Sequence, residues 1–177
     1  MIVYFIIILA IATRLVPHMA NVGIVTALGM FSAVYLSKKQ AVGLVLAVRF
    51  VSDLFLGFFS WPLMLAVYAS HLFGVLFGLW VKRSADKPAA KWGKILGSSV
   101  AASLIFFLVT NFAFLYASYP HTWAGIMQAY VNGLPFLRGT LMGDVGYAAA
   151  LFGAYDLVKY FAARKLNGHE ALGSRAS

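Results

Sequence analysis

The chain contains no cysteine and only 5 acidic residues among its 177. Without cysteine there are no disulfides, no thiolate nucleophiles and no cysteine-ligated metals. The sequence also lacks a glycine-rich phosphate loop, an HExxH zinc motif and a serine in a nucleophile elbow. These absences predict that the protein is not an enzyme, has no catalytic residues, and uses neither a metal nor another cofactor.

Charge is scarce as well, since charged residues make up 11% of the chain and hydrophobic residues 62%. The mean hydropathy of +0.85 is far above that of a soluble domain of this size. The net charge of +9 does not require nucleic acid as a partner, because the lysines and arginines of membrane proteins collect in cytoplasmic loops. The composition predicts an integral membrane protein that is embedded in a lipid bilayer and binds no nucleic acid.

Six apolar stretches approach the length of about 20 residues that a transmembrane helix requires. They predict an all-α bundle of six transmembrane helices, near residues 2–16, 22–37, 41–60, 61–81, 95–117 and 138–158. In the last outer connection, 118–137, apolar residues recur at helical spacing and predict a short amphipathic helix. We expect one domain over 1–160 and a disordered tail over 161–177.

The basic residues predict the orientation of the bundle. Eleven of the 14 lie on the side that the even-numbered connections share with the tail, whereas Arg14 and Arg138 lie on the other side and Arg49 lies within a span. Because basic loops stay in the cytoplasm, both termini are expected to be cytoplasmic in a multi-pass protein of the bacterial inner membrane.

Polar residues inside the spans predict a site in the outer half of the bundle. Asp53, Asn111 and Asp144 each lie about 9–10 Å below the outer end of their span at 1.5 Å per residue. Arg49 lies one turn deeper than Asp53, and His71 lies near the middle of the fourth span. Since each ionisable side chain in hydrocarbon costs about 3 kcal/mol or more, we predict an outward-facing pocket with Arg49 and His71 at its floor.

Aromatic residues of the last outer connection have two interpretations. Tyr119, His121, Trp123 and Tyr130 could form an aromatic belt at the membrane interface or the roof of the pocket, and the sequence favours neither. Asn21, at the start of the second span, is predicted to be a helix N-cap.

Two other functions remain open. In a structural or assembly protein, Arg49 would pair with Asp53 or Asp144 only to neutralise buried charge, and GxxxG faces such as Gly74 and Gly78 would contact another subunit. In an ion- or proton-coupled transporter, Asp144 beside Arg49 would change its protonation with solute binding.

Six short motifs carry a resemblance over most of residues 14–156: Arg14…Pro17-His18…Asn21, Ser52-Asp53-Leu54…Gly57, Thr110-Asn111-Phe112, Tyr119-Pro120…Gly125, Leu134-Pro135-Phe136 and Gly143-Asp144…Tyr147…Phe152-Gly153. In these the chain resembles a family of small uncharacterised bacterial membrane proteins. That family is similar in size and span count to the substrate-binding S components of energy-coupling factor (ECF) transporters. The resemblance implies six helices, cytoplasmic termini and a pocket under an outer loop.

The resemblance and the polar layer together give the leading prediction. The protein captures a small polar or vitamin-like solute from the outer side and assists its uptake, with an energising transporter module as a possible partner. S components commonly dock on such a module through an AxxxA pattern in the first helix, whereas the first span here has Ala10 and Ala12 but no pair at that spacing. This departure favours a protein that acts alone.

The orientation can be tested by cysteine labelling, because the native chain has no thiol. We expect a cysteine at Lys87 to react with an impermeant thiol reagent only after the membrane is opened, and one at His121 to react in intact cells. The reverse labelling pattern would overturn the predicted orientation.

Overall fold

The computed structural model describes residues 2–16, 21–84 and 86–173, and in these ranges the protein is all-α, with no strand. The fold class predicted from the sequence is confirmed to that extent. The elements are α1 (Ile2–Leu15), α2 (Val25–Tyr35), α3 (Lys38–Leu56), α4 (Trp61–Lys82), α5 (Pro88–Thr110), a 3-10 turn (Ala113–Leu115) and α6 (Trp123–Gly173). We call the end of the bundle that carries residues 111–122 the outer end.

Helix α2 lies at the centre of the bundle and packs against α3, α4, α5 and α6. Its closest neighbour is α4, because Gly74 and Gly78 present no side chain there. A Cβ added at Gly74 would overlap the carbonyl oxygen of Thr26, and one at Gly78 would overlap that of Met30. This GxxxG pair therefore joins two helices of the same chain, and the interpretation that it contacts another subunit is wrong for α4.

Local sequence signals account for the ends of the middle helices. Ser37 and Gln40 form a capping box that starts α3, in which the Ser37 hydroxyl accepts from the backbone N–H of Gln40 at 3.3 Å. Gly57 ends α3 with a φ of 92°, a backbone conformation that favours glycine. Prolines in the first turn begin α4 and α5, where the missing N–H has no helical acceptor.

The surface of the bundle is apolar, whereas much of its interior is polar. Large hydrophobic side chains such as Phe55, Leu65 and Leu108 are more than half-exposed, while Arg49, aspartates and many serines and threonines are buried. A soluble protein distributes these residue types in the opposite way. Two helices, α4 and α5, are long and apolar enough to cross a membrane.

The sequence predicts six spans, and the structure has six α-helices. Of the described helices, only α4 and α5 have both the length and the mean hydropathy of a membrane span. Helix α2 has 11 residues, or about 16 Å, which is half of the roughly 30 Å hydrocarbon thickness. Helix α3 is long enough but carries four charged residues.

Helix α5 is displaced from its predicted position. It begins at Pro88 and ends at Thr110 instead of covering 95–117. Its first turns contain Lys91 and Lys94, so hydropathy alone does not assign them to a span. The apolar residues that follow Thr110 form the 3-10 turn instead of further α-helix.

Helix α6 replaces three predicted segments. The amphipathic helix of the outer connection, the sixth span and residues 161–173 of the tail form one helix of 51 residues that contains Pro135. Proline removes one backbone hydrogen bond but need not end a helix that is held on both sides by packing. Residues 161–173, which the sequence predicts to be disordered, continue α6 as helix; alanine, leucine, lysine and arginine favour helix without apolar periodicity. Residues 174–177 lie outside the described ranges.

The contact between α2 and α4 can be tested at Gly78. Changing Gly78 to Ala puts a methyl group against the Met30 carbonyl and 2.7 Å from Ala33 Cβ, so we expect a loss of about 1–3 kcal/mol in the free energy of unfolding. The matched control is Gly93→Ala in α5, where a Cβ meets nothing within 4 Å; this change should be neutral or stabilising by about 0.5–1 kcal/mol. Equal unfolding temperatures for the two variants in detergent would contradict the packing.

Candidate functional site

A buried ion cluster ties α1, α3 and α4 together below the outer end. Asp53 Oδ1 accepts a hydrogen bond from Arg14 Nη2 at 3.1 Å, and Asp53 Oδ2 lies 2.9 Å from Arg49 Nε. The Tyr68 hydroxyl donates to the same Oδ2 at 2.9 Å. Arg14 Nε also donates to the Ser52 hydroxyl at 2.6 Å. The carboxyl group of Asp53, which is 2% exposed, is therefore shared by two guanidinium groups.

The predicted pair of Arg49 and Asp53 is confirmed as an ion pair, four residues apart on α3. The Nε atom of Arg49 is in ionic contact, although it lacks hydrogen-bond geometry to any described residue. The rings of Phe59 and Tyr68 both lie 5.6 Å from its guanidinium carbon, at cation–π distance. Arg14 was not predicted to belong here, because only tertiary packing brings the last turn of α1 to Asp53.

A cavity of about 210 Å³, the inner cavity, lies beside this cluster. All six helices contribute residues to its wall. Its lining comprises Arg14, Asn21, Val22, Gly23, Thr26, Arg49, Leu56, His71, Phe106, Thr140 and Asp144. Arg49, His71 and Asp144 had been predicted as site residues, and the structure brings them to one cavity.

Residues 21–23, which precede α2, line the inner cavity as non-helical backbone. Asn21 has a φ of 61°, a left-handed conformation that asparagine adopts more readily than most residues. The prediction that Asn21 caps the second helix is wrong, since α2 begins at Val25 with Ile24 in the cap position and no side-chain cap bond. The first N–H groups of α2 are thus left without a side-chain acceptor beside the cavity.

His71 has one engaged and one free ring nitrogen. Its Nδ1 lies 3.1 Å from the Thr26 hydroxyl, and its ring packs 5.2 Å from that of Phe106. Its Nε2 is buried without a hydrogen-bond partner among the described residues. A buried polar atom without a partner is uncommon in folded proteins, so His71 Nε2 is a candidate contact for a solute.

Asp144 has hydrogen-bond support but no cation. It is 3% exposed, and its Oδ2 accepts from the Ser103 hydroxyl at 2.7 Å. No arginine, lysine or histidine of the described residues forms a salt bridge with it. The alternative prediction that Arg49 pairs with Asp144 is wrong, because Asp53, on the same helix as Arg49, occupies that place. Gly143 lets α6 approach the backbone of Gly23, which puts Asp144 near the start of α2.

A second cavity of about 420 Å³, the outer cavity, adjoins the inner one toward the outer end. Asn21 and Phe106 line both cavities, so they form the wall between them. Tyr116, Ser118 and Tyr119, from the connection that follows α5, contribute to the lining of the outer cavity. Burial, and to a smaller extent Tyr119, raises the pKa of Tyr116, whose protonated hydroxyl donates to the Thr110 carbonyl at 2.6 Å.

Two further predicted site residues line the outer cavity. Tyr119 does so from the loop, and its hydroxyl accepts from the Asn132 amide at 3.1 Å. Asn111 was predicted to lie about 9 Å below the outer end, but it follows the last residue of α5 and donates from its side chain to the Phe107 carbonyl at 2.9 Å. Its predicted depth is wrong because α5 ends at Thr110.

The remaining three aromatic residues line neither cavity. Trp123 begins α6 and is 75% exposed, so the prediction that it could roof the pocket is wrong. The Tyr130 hydroxyl donates to the Leu108 carbonyl at 2.9 Å, and its ring packs on Phe107. His121 stacks on Phe114 with ring centroids 4.5 Å apart. Asp53, another predicted site residue, does not line the inner cavity, whereas its partners Arg14 and Arg49 do.

A second ion pair lies at the opposite end of the bundle. Lys91 Nζ donates to both carboxyl oxygens of Asp156 at 2.6 Å and so joins α5 to α6. It was not predicted, because Lys91 had been assigned to a loop. In the described part of the chain, no three histidine or carboxylate side chains converge as a metal site would require.

The chain belongs to the DUF6580 family, a family of unknown function, which it matches over residues 1–166. No curated protein and no solved structure matches the chain.

The ion cluster predicts unequal effects of two substitutions. Asp53→Asn leaves two buried guanidinium groups without a countercharge, so we expect a loss of about 3–5 kcal/mol in the free energy of unfolding. Arg14→Met leaves the Arg49–Asp53 pair balanced and should cost about 1.5–3 kcal/mol. Asp86→Asn is the matched control, because Asp86 is exposed in the connection between α4 and α5 and forms no ion pair with any described residue. If Asp53→Asn were no more destabilising than this control, the cluster would not stabilise the bundle.

Proposed function

We propose that this protein is a multi-pass membrane protein that binds a small polar solute in the inner cavity. The observation that carries this proposal is a polar cavity lined by His71 and Asp144, where no described residue hydrogen-bonds to His71 Nε2 and none pairs with Asp144 as a cation. Ligand sites are concave, with a few placed polar groups among apolar walls.

The membrane placement rests on the distribution of polarity. Half-exposed leucines and phenylalanines cover much of the surface of the bundle, whereas Arg49, Asp53, His71 and Asp144 are buried in its interior. We infer that all six helices enter the bilayer, with short α2 surrounded by its neighbours and the 51-residue α6 extending beyond the hydrocarbon. The non-helical residues before α2 are compatible with membrane depth because they line a cavity. The basic connections then put both termini in the cytoplasm of a bacterial cell, at its inner membrane.

The proposed route of the solute runs from the outer cavity to the inner one. Tyr116 and Tyr119 of the connection that follows α5 line the outer cavity, and the ring of Phe106 forms part of the wall toward the inner cavity. A solute entering from the outer side would meet mainly aromatic and amide groups first and charged groups second. This order agrees with the resemblance to S components, which would make an energising module a further partner.

A purely structural role accounts for only part of the polar interior. The cluster of Arg14, Arg49 and Asp53 neutralises its members and holds three helices together, as a structural role requires. His71 Nε2 and Asp144 are not used in that way, and both line the cavity. We therefore favour solute binding over a structural role; a proton-coupled route through Asp144 stays a prediction.

Filling the inner cavity should abolish binding without unfolding the protein. Thr140 lines the cavity, and its hydroxyl donates only to the Phe136 carbonyl of its own helix, at 3.2 Å. We expect the purified native protein to gain thermal stability with at least one member of a panel of vitamins, nucleobases, amino acids and metal ions. Thr140→Phe should lose this gain, because the phenyl ring occupies the volume of the solute.

The matched control is Met142→Phe, two residues further along α6 at a position that is 50% exposed and lines neither cavity. It should respond to the solute as the native protein does. If no panel member stabilises the native protein and mass spectrometry finds no co-purified ligand, the proposed function is wrong.

A further inference from the structure

Positive and negative groups lie on different sides of the inner cavity. The cluster of Arg14, Arg49 and Asp53 has a net formal charge of +1. Asp144, which also lines the cavity, carries the opposite charge and has a hydroxyl donor in place of a cation. With Asp144 as a carboxylate, the cavity is neutral as a whole and has a cationic side and an anionic side.

The cationic side has donors to spare. No hydrogen bond of ordinary geometry joins Arg49 Nε to any described residue, and the rings of Phe59 and Tyr68 lie 5.6 Å from its guanidinium carbon. A guanidinium offers five N–H donors in a planar fork that matches a carboxylate. An anionic group of a solute could take these donors without displacing Asp53, which Arg14 and Tyr68 also hold.

The anionic side has acceptors to spare. A carboxylate offers about four acceptor positions, and Ser103 fills one of those on Asp144. The start of α2 lies nearby and adds a partial positive charge, but it does not supply a full cation. A primary or secondary ammonium group would provide both the charge and the hydrogen bonds that Asp144 lacks.

We infer that the solute of the inner cavity is a small zwitterion of the amino-acid type, whose carboxylate binds Arg49 and Arg14 and whose ammonium group binds Asp144. This inference rests on the proposed function and specifies the solute class for the same cavity. A zwitterion leaves the cavity neutral after binding, whereas a simple anion or cation would leave an uncompensated charge in a low-dielectric site. The free Nε2 of His71 lies in the same wall and adds a neutral hydrogen-bond contact to the bound solute.

The inference is tested with matched sets of solutes on the native protein in nanodiscs. The zwitterions are glycine, β-alanine, 4-aminobutyrate, leucine and phenylalanine. Each is compared with the same molecule lacking the amino group, such as propionate for β-alanine, and with the same molecule lacking the carboxylate, such as ethylamine. We expect at least one zwitterion to bind, and both of its single-charge relatives to bind at least tenfold more weakly, in thermal-shift titrations.

Two substitutions assign the ends of the solute. Asp144→Asn should weaken binding of the zwitterion at least tenfold and strengthen binding of its carboxylate relative, because that relative has no ammonium group and its charge then neutralises the arginine side of the cavity. Arg49→Met should weaken binding of the zwitterion and of the carboxylate relative but not of the amine. Asp156→Asn, in the same helix as Asp144 but paired with Lys91 outside the cavity, should change none of these affinities.

Each contrary result has a definite meaning. A carboxylate or an amine that binds within threefold of its zwitterion overturns the inference and leaves the proposed function intact. So does a panel in which neutral or singly charged solutes bind and no zwitterion does. Equal losses for zwitterion and carboxylate in Asp144→Asn overturn the role of Asp144. If no solute of any charge binds the native protein, the proposed function fails together with the inference.

Discussion

The structure depends on one carboxylate shared by two guanidinium groups. Asp53 lies between Arg14 and Arg49, and this contact fixes α1 against α3 while Tyr68 adds α4. In a low-dielectric interior, none of these charges is tolerable alone, so the three helices are held in one arrangement. The same contact leaves Arg49 at the edge of the inner cavity with donors that Asp53 does not use. Stability and the candidate site thus arise from the same group of side chains.

Small residues make the second contribution, because they let polar backbone approach the cavity. Gly74 and Gly78 bring α4 onto α2, and Gly143 brings α6 onto the segment before α2. As a result His71 of α4 and Asp144 of α6 converge on Thr26 and its neighbours at the start of α2. A bulkier residue at any of the three glycines would separate the helices and change the shape of the cavity. The packing and the site therefore constrain each other.

Much of the fold could be predicted from the sequence, since long apolar stretches and basic connections are local signals. The pair of Arg49 and Asp53 was predictable for the same reason, because four residues on one helix define a shared face. Arg14 was not, since nothing near it in the sequence points to Asp53. The continuity of α6 through Pro135 and the early end of α5 were missed because hydropathy does not report where a helix is capped. The residues of the connection after α5 that line the outer cavity, Tyr116 and Ser118, carry no periodic signal at all.

The shared wall between the cavities has a kinetic consequence. Phe106 borders both spaces, so the rotamer of its ring changes the boundary between them without movement of a whole helix. Side-chain rotation is faster by orders of magnitude than helix rearrangement. The ring also packs on His71, so a solute that engages His71 would change the rotamers open to Phe106. Residence time in the inner cavity would then be set by a single aromatic side chain, independently of the affinity that the charged groups provide.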